Sequence, residues 1–388
     1  MYNQPYQTEI SFAIGWRIFL AMISIPLTIV FGWLIYDGFT GSTGIFGIIC
    51  GPIGILFFGY CVIRVFKEKV IIEEDKLIHV RAFTQKEVLY QDIEGYRVDD
   101  NYIYLESFQT KKTVIKLSTY LGKSKILKIL RQNFKDLDVR DRYRSEADII
   151  NNSDYGVNPE DAAAHLKKTR QLCIFLNVVG VALALWVGFF PDKTSIILNT
   201  VFPVAVLIVV KSSKGLIRVD TSNNSANPNV GFAFMGPLCA LAIRCVFDLH
   251  IFSFENVWIY VIGAFLPLIA LTFTGSKEFG FKDKAQTSNT ILLAVFLFLL
   301  CVIDVLMINS NFDRSTPQTY KAEVLDKRIS KGNKSTTYYL KLNPWGPQKQ
   351  IDENTVSSSF YSDVEVGDTV SVNYYKGLLN IPWFDIVK

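Results

Sequence analysis

The sequence predicts a polytopic α-helical membrane protein that carries one β-rich piece within the chain and a second at its C-terminal end. Three observations support this. Half of the 388 residues are hydrophobic, only 20% are charged, and the mean hydropathy is +0.25. Seven apolar runs approach the length of about 20 residues that a helix needs to cross a bilayer core. Two more polar stretches, 67–137 and 311–388, break into short runs with strand-like spacing. This composition excludes a disordered chain or a small disulfide framework. A formal net charge of +4, spread along the chain, gives no footprint for nucleic acid.

The seven expected spans are 12–36, 44–65, 171–190, 195–210, 231–250, 256–275 and 289–308, the fourth being the shortest. Residues 1–11 hold no Lys or Arg, and the apolar run after them is too long for a cleaved leader. In the second span, Gly47 and Gly51 stand four apart, the spacing that lets helices approach closely. All six cysteines lie in apolar runs without Cys-x-x-Cys spacing and read as packing residues. Arg64, Lys67, Lys69, Lys167, Lys168, Arg170, Lys211, Lys214, Arg218, Lys277, Lys282 and Lys284 flank alternate loops, and the loops between hold only Lys193. Positively charged loops stay on the cytoplasmic side. The expectation is an integral plasma (inner) membrane protein with the N-terminus and 67–170 in the cytoplasm and the C-terminal tail outside.

The chain therefore divides into a two-helix hairpin (1–66), a cytoplasmic β piece (67–137), a helical connector (138–170), a five-helix block (171–310) and an exported β piece (311–388). In the cytoplasmic piece, Val70-Ile71-Ile72 and 77–83 flank a polar turn, and further short strands follow at Val88-Leu89-Tyr90, Tyr96-Arg97-Val98, 102–105 and 113–117. A helix closes it, with Ile126, Leu127, Leu130, Phe134 and Leu137 on one face. The run from Leu89-Tyr90-Gln91-Asp92-Ile93 through Val114-Ile115-Lys116-Leu117 and this helix resembles the bacterial pleckstrin-homology-like domains. That resemblance implies a small β-barrel with a C-terminal helix and no shared catalytic residues. Lys111, Lys112, Lys116, Lys123 and Lys125 are candidate contacts for anionic lipid headgroups. Against this, residues 65–170 hold 20 basic and 18 acidic side chains, which also reads as a solvated mixed-charge surface.

In the connector, Asn158-Pro159-Glu160-Asp161 combines an N-cap, a first-turn proline and first-turn acids. No breaker follows, so one long helix should start at Pro159 and run through the third span, coupling the β piece stiffly to the helix block. The stretches Asp154-Tyr155-Gly156-Val157-Asn158-Pro159-Glu160 and Lys214-Gly215-Leu216-Ile217-Arg218 resemble a further group of bacterial membrane proteins, which implies kinship and not an activity.

Ionisable groups inside spans are costly and mark candidate sites. Arg17, near the start of the first span, can snorkel to the surface. Arg244 and Asp248 lie one helical turn apart and can neutralise each other, and Asp304 lies at similar depth in the last span. Two readings stand: a local Arg244–Asp248 pair, or an interhelical Arg244–Asp304 clasp lining a polar cavity. In the tail, strands at 320–329 and 336–342 and a Gly367-Asp368 turn before an alternating strand predict a small closed barrel of the OB or SH3-like kind. It resembles the small β domains that bacteria attach outside membrane helices. Trp345 and Trp383 read as packing residues there.

The sequence holds no nucleotide-binding glycine loop, no Gly-x-Ser-x-Gly elbow and no His-Glu-x-x-His. No residue set asks for a metal or cofactor, or combines nucleophile, base and charge stabiliser. The function expected is a non-catalytic envelope scaffold or sensor whose partners are the lipid bilayer and other proteins. The alternative is a transporter or channel with Arg244 and Asp304 lining its cavity.

Overall fold

The structure, a computed structural model, describes residues 8–41, 44–110, 112–219, 224–274, 279–281, 284–332 and 336–388. The chain forms two compact units, one running to Glu146 with a short stretch ending at Ala226, the other comprising the rest. Six helices are long and apolar enough to cross a membrane, and β-sheets accompany them in both units.

The first unit opens with β1 (Thr8–Ser11), followed by the helices α1 (Ile14–Thr40) and α2 (Gly44–Lys67). The two helices pack as a hairpin. An added Cβ at Gly51 would lie 2.3 Å from Ile35, and one at Gly54 2.1 Å from Phe31, so the glycines are what allow this approach. Then come β2 (Lys69–Ile72), β3 (Lys76–Val80), β4 (Gln85–Leu89), β5 (Ile93–Val98), β6 (Tyr102–Ser107), β7 (Thr113–Ser118), α3 (Lys123–Asn133), β8 (Lys135–Asp136) and α4 (Leu137–Ile150), whose last turn, from Ala147, belongs to the second unit. They make two four-stranded sheets, ordered β1-β2-β3-β4 and β7-β6-β5-β8. Ile10, Val70, Leu77, Ile103, Leu105, Leu117, Ile126 and Leu130 bury into one core drawn from both sheets and α3.

Three details depart from the sequence reading. Residues 8–11 form a strand, antiparallel to β2, with Ile10 facing the core. The expected closing helix ends at Asn133, where Phe134 turns extended. Lys135 and Asp136 then pair in parallel with β5, and the Asp136 carboxylate accepts the N–H groups of Asp138 and Val139 at the start of α4. Arg97 of β5 binds Glu106 at 2.8 Å, Asp138 at 2.8 Å and Asp141 at 2.5 Å, which ties β6 and the first turn of α4 to one guanidinium.

The second unit contains α5 (Pro159–Phe189), α6 (Lys193–Ser212), α7 (Gly231–Asp248), β9 (His250–Ile251), α8 (Val257–Phe273) and α9 (Lys284–Asn311). Helix α5 is the uninterrupted 31-residue element expected, and the Asn158 side chain accepts the Asp161 N–H at 2.8 Å. The fourth run is secure as a 20-residue helix capped reciprocally by Asp192 and Ser195. The sixth is the short one: α8 has 17 residues, at the lower limit for crossing a bilayer. Helices α5 and α7 touch at Gly180, where a Cβ would fall 2.6 Å from the Ala233 Cα.

The tail follows as β10 (Gln318–Lys331), β11 (Thr336–Leu342), β12 (Asp352–Val356), α10 (Ser358–Asp363), β13 (Thr369–Tyr375) and β14 (Trp383–Val387). The strand order is β12-β11-β10-β13-β14-β9. The register of β10 shifts between Val324 and Asp326, and a bulge of this kind bends a strand. Residues from both halves of the sheet, among them Leu340, Leu342, Val370, Val372 and Phe384, share a core with Trp345. At one edge β14 pairs with β9, a strand from the loop between α7 and α8, and the His250 side chain of β9 bonds the carbonyl of Thr355 in β12, the strand at the other edge. Gly367 turns the chain into β13 at φ +94°, a conformation that favours glycine.

Candidate functional site

The residues singled out from the sequence fall in three places. The first lies among the helices of the second unit. Arg244 on α7 donates from Nη1 to Asp248 at 3.3 Å and from Nε to the Val187 carbonyl at 3.2 Å. Asp304 on α9 accepts the Thr200 hydroxyl of α6 at 2.9 Å. The Arg244–Asp304 clasp does not form. Arg244 meets a carboxylate one turn along its own helix, which costs no interhelical alignment, and Asp304 meets a neutral donor. Asn177 of α5 accepts the Ala233 N–H at 2.8 Å and donates to the Asn229 carbonyl at 2.9 Å, satisfying groups at the start of α7. These contacts fasten helices to one another. A cavity of about 470 Å³ in this unit is lined mainly by apolar side chains, including Phe232, Met235, Leu292 and Phe296, and by neither Arg244 nor Asp304.

The second place is the set of lysines in the first unit. Lys111 lies outside the described residues. Lys112, Lys116, Lys123 and Lys125 are exposed. Lys112 lies just before β7 and Lys116 within it, about 13 Å apart along the chain. The Lys116 ammonium lies 3.7 Å from the centre of the Tyr102 ring and 5.3 Å from that of Tyr104. Tyr104 in turn donates to Asp99, a bond that pushes the phenol up to about 12. Burial opposes ionisation of Asp99, but the Tyr104 hydroxyl, two backbone N–H groups and the nearby Lys116 charge outweigh it and hold Asp99 below the usual carboxylate range. Lys123 and Lys125 open α3 two residues apart, a spacing that does not face two side chains the same way. The lysines are thus distributed along β7 and α3, and Lys116 already has aromatic and acidic neighbours.

The third place, missed in the sequence reading, is the junction of α9 with the tail. Asn309 is fully buried. Its side chain accepts the Leu379 N–H at 2.9 Å and donates to the Ile381 carbonyl at 2.8 Å, while its own carbonyl accepts the Leu378 N–H. Two residues past α9, Asp313 accepts the Trp383 indole N–H at 3.0 Å and the Gly377 N–H at 2.9 Å. Burial pushes the Asp313 carboxyl up, but these donors and those of Ser315 outweigh it and hold it below its ordinary value. Ile381 inserts among Val257, Val261, Cys301 and Val305. On the other side, Phe252 donates its N–H to the Pro382 carbonyl, Asn256 its amide to the Asn380 carbonyl, and His250 bonds the Thr355 carbonyl at 2.9 Å. The available signal was the polar cluster Asn309-Ser310-Asn311 closing an otherwise apolar run. Within this unit the tail is built onto the ends of α7, α8 and α9.

Compared with known protein families, curated proteins and solved structures, the chain matches none.

Proposed function

We propose that the chain is a non-catalytic scaffold or sensor of a bacterial envelope. In this reading the first unit presents a pleckstrin-homology-like domain to the cytoplasm, and the tail is exported. The bias of Lys and Arg between alternate loops supports that sidedness, with α8 counted as a span. Two sheets sharing one core with a C-terminal helix support the domain assignment.

The observation that carries the reading is the junction just described. A tail tethered only by its chain would report little to the helices. Here the α7–α8 loop supplies a strand to the tail sheet, and Asn309 and Asp313 grip the segment before β14. A ligand or partner on the tail would therefore load α7, α8 and α9 directly. Transport has less support, because the charge pair that motivated it is resolved into separate local contacts.

Hydrogen exchange on the full chain in lipid nanodiscs tests this, comparing the native protein with Asn309→Ala. The sensor reading expects faster exchange in residues 377–383 and also in α8 and the end of α9. A change confined to the tail would sink it. Solute flux into proteoliposomes above that of empty vesicles would replace it with the transport reading.

A further inference from the structure

We infer that the first unit holds a binding site for one anionic glycerophospholipid, at the membrane surface where α1 begins and α2 ends. It uses none of the side chains of Lys112, Lys116, Lys123 or Lys125, although Arg81 Nη2 donates to the Lys116 carbonyl at 3.4 Å.

Two recesses meet there. One, of about 740 Å³, is lined by Arg17 of α1, Lys67 at the end of α2, Lys69 of β2 and Arg81 of the β3–β4 hairpin, with Glu9 as its acid. The other, of about 730 Å³, runs along α1 past Ile14, Ile18, Met22 and Ile25. Arg17 and Phe66 line both. Each volume is in the range of small-molecule sites.

Charge distinguishes the two. Glu9 is paired with Lys69 at 2.9 Å. Among the described residues, no carboxylate lies within 4 Å of the cationic atoms of Arg17, Lys67 or Arg81. The Arg17 Nε is buried without a hydrogen-bond partner, a costly state that an acceptor oxygen would relieve. A guanidinium suits a phosphodiester, which it can bind through two parallel N–H donors. The second recess is apolar and follows a membrane-spanning helix. From Ile14 to Pro26 it extends about 18 Å at the helical rise per residue, close to half of a hydrocarbon core about 30 Å thick. A phosphate group joined to an acyl chain matches both parts, and a free phosphate matches only the first.

The hairpin tip is suited to this depth. Phe83 is 71% exposed, yet its ring lies 6.1 Å from that of Tyr60, about two turns back from the end of α2. An exposed aromatic beside a spanning helix belongs at the headgroup level, and it would hold Arg81 over the phosphate.

The test is native mass spectrometry of the full chain released from detergent, after titration with phosphatidylglycerol or phosphatidylcholine bearing identical acyl chains. The expected result is one retained phosphatidylglycerol, preferred about tenfold over phosphatidylcholine. Arg81→Gln, on the exposed hairpin, and Arg17→Gln should each reduce that preference severalfold, whereas Lys123→Gln should leave it intact. Ile18→Trp, which fills the apolar groove, should weaken retention of both lipids. Equal retention of the two lipids by the native protein, or an unchanged preference in Arg81→Gln, would overturn the proposal. So would competition by millimolar inorganic phosphate together with no effect of Ile18→Trp, since the site would then take free phosphate.

Discussion

Asn309 joins the end of α9 to the tail through a single side chain. Its amide satisfies one backbone donor and one backbone acceptor of the tail in a place without water access. Asn309→Ala leaves both unmet, at a cost of about 1–3 kcal/mol each in a buried setting. The expected outcome is amide exchange at Leu378 and Leu379 faster by about tenfold or more, read by hydrogen-exchange mass spectrometry. Asp313 adds a pH dependence. Its folded-state value lies below the ordinary one, so the undocked tail binds a proton more readily than the docked tail. The stabilisation from Asp313 is complete above the ordinary aspartate value of about 4 and is lost as pH falls through the lower folded value. Exchange in residues 377–383, corrected for intrinsic rate, should hold steady from neutral to mildly acidic pH and rise below about pH 4. Asp313→Asn should lower protection at neutral pH and flatten that acid-dependent change.

At the scale of elements, α5 illustrates a helix defined by its own residues. Asn158 caps it, Pro159 fits the first turn, and Glu160 and Asp161 complement its positive end. Asn158→Ala should cost about 1 kcal/mol and raise exchange at Asp161 and its neighbours without moving the distal end of the helix. The α5–α7 crossing depends instead on what lies opposite. Gly180 faces the Ala233 backbone at 2.6 Å from an ideal Cβ, whereas Gly188 on the same helix has nothing within 4 Å. Gly180→Leu should destabilise the helix block by about 1–3 kcal/mol through overpacking, and Gly188→Ala should be close to neutral. Thermal unfolding in detergent separates the two. Thr200→Val should cost about 1 kcal/mol by removing the bond to Asp304, in line with interhelical bonds in membranes.

For the whole molecule, sidedness is the property to measure. In a background with the six native cysteines replaced, Ser359→Cys on the tail and Lys86→Cys on β4 are both exposed reporters. An impermeant maleimide on intact cells should label Ser359→Cys directly and Lys86→Cys only after permeabilisation. The opposite pattern would reverse the assignment made from the charge bias. Most of the fold was legible without coordinates. Apolar runs mark the helices, the cap at Asn158 marks the start of α5, and alternating residues mark β10, β11 and β13, because each of these signals is carried by neighbours in the chain. The short strands were not legible. Four residues at Thr8–Ser11 and two at His250–Ile251 contain too little pattern to declare themselves, and each becomes a strand only because an edge of another sheet, far away in sequence, accepts its backbone bonds. Partner choice was hidden for the same reason. Arg244 and Asp304 could be named as costly charges from the sequence, but whether they met each other, Asp248 or Thr200 depended on how helices α5, α6, α7 and α9 packed.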